Sequence, residues 1–104
     1  MTTFHDRERA FEEKFAHDEE MRFRAEVRRN KLLGLWAAEL MGKRGDEAEA
    51  YARELVKIEL GPDSDARLAE RLTTDLEGRA SREEVAQQIA SLLAAAKDQL
   101  MNEA

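Results

Sequence analysis

Side chains able to carry out reaction chemistry are few in this sequence. It contains no cysteine, which excludes thiol nucleophiles, disulfides and thiolate metal sites. Each of its two histidines is followed by an aspartate, in His5–Asp6 and His17–Asp18, but the two pairs are too far apart along the chain to predict one metal site. Glycine-rich phosphate loops and the G-x-S-x-G and H-E-x-x-H motifs are absent. We therefore expect no catalytic residue, no metal site, no cofactor and no enzymatic activity.

A cluster of basic residues in the first third of the chain has two interpretations. The spacing of Asp18 from Arg22, and of Glu20 from Arg24, is typical of helix-supporting pairs on a solvated face. The alternative is a binding site for a nucleotide or another anion, although a net charge of −6 argues against nucleic acid. The cluster consists of Arg22, Arg24, Arg28, Arg29 and Lys31, and the anion-binding alternative uses Arg28, Arg29, Lys31 and Trp36.

Three phenylalanines near the N-terminus would form a narrow stripe on a helix. At about 100° per residue, Phe4, Phe11 and Phe15 lie within about 40° of one another, and the stripe ends where Asp18 and Arg22 occupy the same face. Spaced rings on a charged helix are typical of anchors that bind a groove in a partner. We predict a partner-binding surface formed by the three rings together with the basic residues Arg7, Arg9 and Lys14.

A broader apolar face follows the stripe and predicts packing in the protein's own core. It consists of Phe23, Val27, Leu33, Trp36, Ala37, Leu40 and Met41. A helix from Thr3 to Met41 would be about 58 Å long, about twice the length of any later helix. Either the whole helix packs internally or its first part serves a partner, and the change of face favours the second. We expect residues 1–20 to bind the partner and to be frayed or disordered when free, and residues 21–104 to form the folded domain.

Glycine and proline mark the ends of successive helices. The stretch from Gly42 to Gly45 ends the first helix, Gly61-Pro62 ends the second, and Gly78 ends the third. Apolar residues recur at helical spacing between these stops, and no segment alternates with the period of a strand.

Capping residues mark where the later helices begin. Asp46 with Glu49, and Ser81 with Glu84, have the spacing of capping boxes, and Asp63 or Ser64 can open the third helix. Four helices with short connections predict an all-α fold, a four-helix bundle with antiparallel neighbours.

No stretch of the sequence suggests insertion into a membrane. No run approaches the roughly 20 apolar residues that span a bilayer, and the N-terminus lacks the basic-then-apolar pattern of a signal peptide. We expect a cytoplasmic protein without direct membrane insertion.

Several long stretches resemble the zeta subunit family of alpha-proteobacteria. They are TTFHDRERA at residues 2–10, EKFAHD at 13–18 and AEVRRNKLLGLWAA at 25–38, with YA at 51–52 and DLEG at 75–78. The resemblance extends into the C-terminal helix and so covers essentially the whole chain.

This resemblance implies the protein's function and partner. Zeta subunits are small inhibitors of the F-type ATP synthase when it runs backwards. The resemblance implies a four-helix bundle whose N-terminal segment, here residue 2 to about residue 17, enters a catalytic interface of the synthase head. It also implies contact with the alpha, beta and gamma subunits and a peripheral position at the inner membrane through the synthase. Weak nucleotide binding remains an alternative.

Overall fold

The computed structural model describes residues 18–103 and contains four helices. They are α1 (Glu19–Leu40), α2 (Asp46–Ile58), α3 (Ser64–Asp75) and α4 (Arg82–Glu103). No strand occurs in this part of the chain, and the predicted all-α four-helix bundle is confirmed. The predictions for residues 1–17, including the frayed segment and the phenylalanine stripe, lie outside the described residues.

Helix α1 is closed at both ends by its own residues. Asp18 is the N-cap, and its Oδ1 accepts a hydrogen bond from the backbone N–H of Met21 at 3.1 Å. After the last turn, Gly42 has a φ of +76° and donates its N–H to the carbonyl of Glu39, while the next N–H reaches Ala38. This is the Schellman arrangement, in which glycine is favoured because it adopts positive φ without strain. The predicted end of the first helix is confirmed.

The other helix starts agree with the sequence in part. Ser81 and Glu84 form the predicted capping box, since the N–H of Glu84 donates to Ser81 Oγ at 3.1 Å and the N–H of Ser81 donates to Glu84 Oε1 at 3.2 Å. The prediction of Asp46 as a cap is wrong, because Gly45 holds the N-cap position with a φ of +57° and Asp46 is the first helical residue. Helix α3 begins at Ser64 without a side-chain capping bond.

The capping box of α4 provides a test of the fold. The change Ser81→Ala removes the acceptor for an N–H at the helix start, and we expect it to lower the free energy of unfolding by about 0.5–2 kcal/mol. Urea denaturation followed by circular dichroism measures this loss. Unchanged stability would mean that Ser81 does not cap α4 in solution.

Two apolar clusters hold the bundle together. The larger draws on all four helices, and its buried members are Leu33, Ala37, Ala38, Tyr51, Leu55, Leu68, Leu72, Leu76 and Val85. The smaller joins the first half of α1 to the end of α4 through Ala25 and Leu100, with Met21, Leu93 and Met101 packed around them.

The core face of α1 differs from the predicted one. Phe23 and Leu40, assigned to the core from the sequence, are 41% and 40% exposed. Val27, Trp36 and Met41 are half-buried. The buried positions of α1 belong mostly to small or polar residues: Ala25, Arg29, Asn30, Leu33, Gly34, Ala37 and Ala38.

The close approach of α1 and α2 explains why small residues replace large ones. A Cβ atom placed on Gly34 would lie 2.5 Å from the Cα of Ala52, a distance that no real Cβ could occupy without moving a backbone. Glycine at this position therefore lets the two helices meet along their backbones.

In residues 18–103, no helix combines the length and apolarity needed to cross a membrane.

Candidate functional site

The predicted partner-binding residues belong to the N-terminal segment. Phe4, Arg7, Arg9, Phe11, Lys14 and Phe15 all lie outside the described residues, and their role stays a prediction. The structure does define the point at which this segment joins the bundle. It joins at Asp18, beside the end of α4, where Ala25 packs on Leu100 and Arg28 binds Glu103.

Arg29 is the most deeply buried charge of the basic cluster. Its side chain is 3% exposed, and its Nη2 donates to Glu59 Oε1 and Asp65 Oδ1, both at 3.0 Å. Its Nε donates to Asn30 Oδ1 at 3.0 Å. Glu59 directly follows α2 and Asp65 lies in the first turn of α3, so this one guanidinium ties three helices together.

Asn30 extends the same polar layer into the interface with α2. It is fully buried, and its Nδ2 donates to the backbone carbonyl of Leu55 at 2.9 Å. Neither Arg29 nor Asn30 was predicted to be an interior residue. The signal was present, because Arg29 lies four residues before Leu33 and four after Ala25 and so shares their helical face.

Arg28 points to another neighbour. Both of its terminal nitrogens donate to the carboxylate of Glu103, the second bond being 2.9 Å long. The hydrogen bond to Glu103 raises the pKa of Arg28 and, reciprocally, lowers the pKa of Glu103. This bidentate pair fastens the last turn of α4 to α1.

The four residues of the predicted anion site have different surroundings. Arg28 binds a carboxylate of α4, Arg29 binds carboxylates after α2 and in α3, and Trp36 packs against the larger core cluster. Lys31 is exposed in a groove beside α2. An anion at Arg28 or Arg29 would compete with carboxylates already bound, so the geometry adds no support to this prediction.

The interpretation of the cluster as a solvated face holds for Arg22, Arg24 and Lys31, which are all exposed. The pairs expected to support it do not form, since Asp18–Arg22 and Glu20–Arg24 are absent from the ion pairs of residues 18–103. The Asp18 carboxylate caps α1 instead.

A second polar network joins α2 to α3. The hydroxyl of Tyr51 donates to Asp75 Oδ2 at 2.7 Å, and Arg71 Nε donates to the same oxygen at 2.6 Å. The Arg71 guanidinium also lies 5.3 Å from the centre of the Tyr51 ring. Burial and the hydrogen bond to Asp75 raise the pKa of Tyr51 well above the ordinary value for tyrosine. The phenol therefore stays protonated and serves as a structural hydrogen-bond donor.

Glu26 lies next to the Arg29 layer in an environment that disfavours its charge. Burial raises its pKa, as do the nearby carboxylates of Glu59 and Asp65, against the opposing effect of Arg29. Because the folded-state pKa is above the unfolded one, Glu26 favours folding most when it is protonated. That contribution is lost as the pH rises through the folded-state pKa.

Substitution of this carboxyl should therefore have an effect that depends on pH. We expect Glu26→Gln to stabilise the bundle at pH 7 by less than about 1 kcal/mol, because the side chain is only half-buried. The gain should shrink toward pH 4, where the parent carboxyl becomes protonated. Urea unfolding of both proteins at the two pH values measures the difference, and a gain that grows on acidification would contradict the assignment.

The described part of the chain holds neither a cluster of metal-ligating side chains nor an unpartnered buried polar side chain. Within residues 18–103, no group of three histidine, aspartate or glutamate side chains could hold a metal ion. No buried side-chain nitrogen or oxygen in the same residues lacks a hydrogen-bond partner. The polar interior of the bundle is thus satisfied by its own contacts.

Comparisons with known proteins identify a family and similar solved structures. A family model described as ATPase inhibitor subunit zeta matches residues 1–99. A protein whose structure was solved by solution NMR shares 46% sequence identity, with a TM-score of 0.69, over 81% of this chain and 99% of its own. A search of curated proteins finds no match.

Proposed function

The chain belongs to the ATPase inhibitor subunit zeta family, and from this premise we propose how it inhibits. We propose that residues 1–17 insert into a catalytic interface of the F-type ATP synthase head and block reverse ATP hydrolysis. The bundle carries this segment and limits how far it enters. Inhibition needs no catalytic group of its own, because a segment lodged in the interface is enough to stop the rotary cycle.

The N-cap at Asp18 supports the proposal that the folded bundle starts at this residue and that the residues before it bind the partner. Its side chain closes α1 by bonding the N–H of Met21, so the helix start is satisfied within the described residues. The apolar clusters and ion pairs described for residues 18–103 join the four helices of the bundle. We therefore assign binding of the partner to the preceding segment, which the family match covers together with the bundle.

Within the segment, we assign the binding energy to the three aromatic rings. Phe4, Phe11 and Phe15 bury apolar surface in the interface, and Arg7, Arg9 and Lys14 lie between them to meet acidic groups of the partner. The alpha, beta and gamma subunits of the head are the proposed contacts. Through them the protein would be held peripherally at the cytoplasmic side of the inner membrane.

Deletion of residues 1–17 tests the proposal. We expect the shortened protein, which keeps Asp18, to unfold cooperatively within a few degrees of the parent melting temperature and to lose inhibition. Thermal unfolding by circular dichroism and ATP hydrolysis by the purified synthase head against inhibitor concentration measure the two effects.

The full-length protein prepared in the same way is the matched control. If the shortened protein inhibits at the concentrations at which the full-length protein does, the inhibitory activity belongs to the bundle surface. Loss of cooperative unfolding would show instead that the segment packs in the core and that the division at Asp18 is wrong.

A further inference from the structure

A groove between α1 and α2 is a feature of the bundle surface that the proposed inhibition does not use. It has a volume of about 420 Å³. Its lining comes from one residue of α1 and five of α2: Lys31, Glu49, Ala52, Arg53, Val56 and Lys57. Helices α3 and α4 contribute none of these residues, so the groove opens on the outer side of the α1–α2 pair.

Three of the lining residues are exposed cations. Lys31, Arg53 and Lys57 form no ion pair with any residue of the 18–103 range, whereas Arg28, Arg29 and Arg71 each bind a carboxylate. Arg53 and Lys57 are four residues apart on α2, a like-charge spacing that disfavours the helix. Three cations against the single carboxylate of Glu49 leave the groove positive on a chain whose net charge is −6.

The groove lining includes two apolar residues of α2. Ala52 is buried against Gly34, and Val56 is half-buried one turn further along α2. Two small apolar residues with cations beside them form a track that runs along the helix axis. Such a track fits the apolar stripe of another helix laid alongside, in the manner of helix-in-groove recognition.

The charges favour a helix over a compact polyanion. Arg53 and Lys57 are separated by about 6 Å along α2, the same rise that separates acidic residues four apart on a second helix. The residues that line the groove include no aromatic side chain to stack a base.

We propose that this groove docks an amphipathic helix of a partner protein whose acidic side chains, spaced four residues apart, bind Arg53 and Lys57. Lys31 closes the groove from the α1 side and binds a third carboxylate. The residues that carry this proposal all lie in α1 and α2. The proposal therefore does not depend on the inhibitory role of residues 1–17.

Titration of the full ¹⁵N-labelled chain with a synthetic peptide tests the proposal. The probe is an alanine-rich helical peptide with a leucine stripe and glutamates at every fourth position, and the matched control carries glutamine at those positions. We expect amide shifts centred on Lys31, Arg53 and Lys57 with the glutamate peptide only, and weaker binding as salt rises. Equal binding of the glutamine peptide would overturn the role of charge.

Two double variants with the same change in net charge localise the site. Arg53→Gln with Lys57→Gln should weaken binding of the glutamate peptide about 2- to 30-fold, the range expected from losing two exposed ion pairs. Arg44→Gln with Arg82→Gln, at exposed positions outside the groove, should leave it unchanged. If both double variants weaken peptide binding equally, the effect comes from the overall charge of the protein, and the proposed site is wrong.

Inorganic pyrophosphate serves as a third titrant and separates the two ligand classes. It should cause no saturable shift at Arg53 and Lys57. Saturation by pyrophosphate, together with failure of the glutamate peptide to bind, would make the groove a small-anion site and overturn the docking of a helix. None of these measurements contains the synthase, so their result is independent of the inhibition assay.

Discussion

Replacement of Arg29 by methionine should lower the free energy of unfolding by about 3–5 kcal/mol, the usual loss when one partner of a buried ion pair is removed. The reason is the carboxylate left behind. The Glu59 side chain is 2% exposed, so without Arg29 it would either keep an uncompensated buried charge or take up a proton, and both cost free energy of folding. Urea denaturation measures this loss. It is done near the temperature of maximum stability, so that even a strongly destabilised variant is folded in the absence of urea.

Two further variants separate the buried charge from the rest of the Arg29 network. Asp65→Asn removes the other carboxylate partner, which is 73% exposed, and should have an effect below about 1 kcal/mol. Arg29→Met combined with Glu59→Leu removes both buried charges and should recover most of the stability. A double variant no more stable than the single one would show that packing of the arginine stem, not the orphaned carboxylate, accounts for the loss.

The boundaries of the helices could be predicted because local chemistry determines them. The end of α1 depends on the positive φ of Gly42, and the start of α4 depends on two reciprocal bonds between Ser81 and Glu84. Each signal lies within a few residues of its effect. The error at Asp46 is of the same short range, since Gly45 took the cap position one residue earlier.

The core face of α1 was harder to predict because it depends on a neighbour that the local sequence does not identify. A search for large apolar residues selects Phe23 and Leu40, both substantially exposed. Helix α2 approaches so closely at Gly34 that small side chains line the interface instead. Arg29 was hidden for another reason, because a charge enters the interior only with a partner, and Glu59 is thirty residues away in sequence.

The predicted anion site shows that residues adjacent in the sequence need not share one site in the fold. Arg28 and Arg29 are consecutive, but consecutive residues of a helix point about 100° apart and do not face the same neighbour. One therefore meets α4 and the other meets the residues after α2 and in α3. The positive groove could not be predicted from the sequence, because Lys31 comes close to Arg53 and Lys57 only when α1 packs against α2.

Truncation of a single ring of the phenylalanine stripe should weaken inhibition about 10- to 150-fold. Each ring buried in a groove is worth about 1.5–3 kcal/mol, which corresponds to that range of affinity. The loss should appear mainly as faster dissociation, because contacts made after docking govern the off-rate. ATP hydrolysis by the purified synthase head against concentration of Phe11→Ala and Phe15→Ala measures it.

Glu12→Ala is the matched control, because it truncates a neighbouring side chain outside the predicted phenylalanine stripe. It should change inhibition much less, and mostly through salt-dependent association. Both phenylalanine variants should unfold like the parent, because we propose that this segment binds the partner and does not pack in the core. If Phe11→Ala and Phe15→Ala inhibit as well as the parent, the rings are not anchors, and the inhibitory contacts belong to the charged residues of the segment or to the bundle surface.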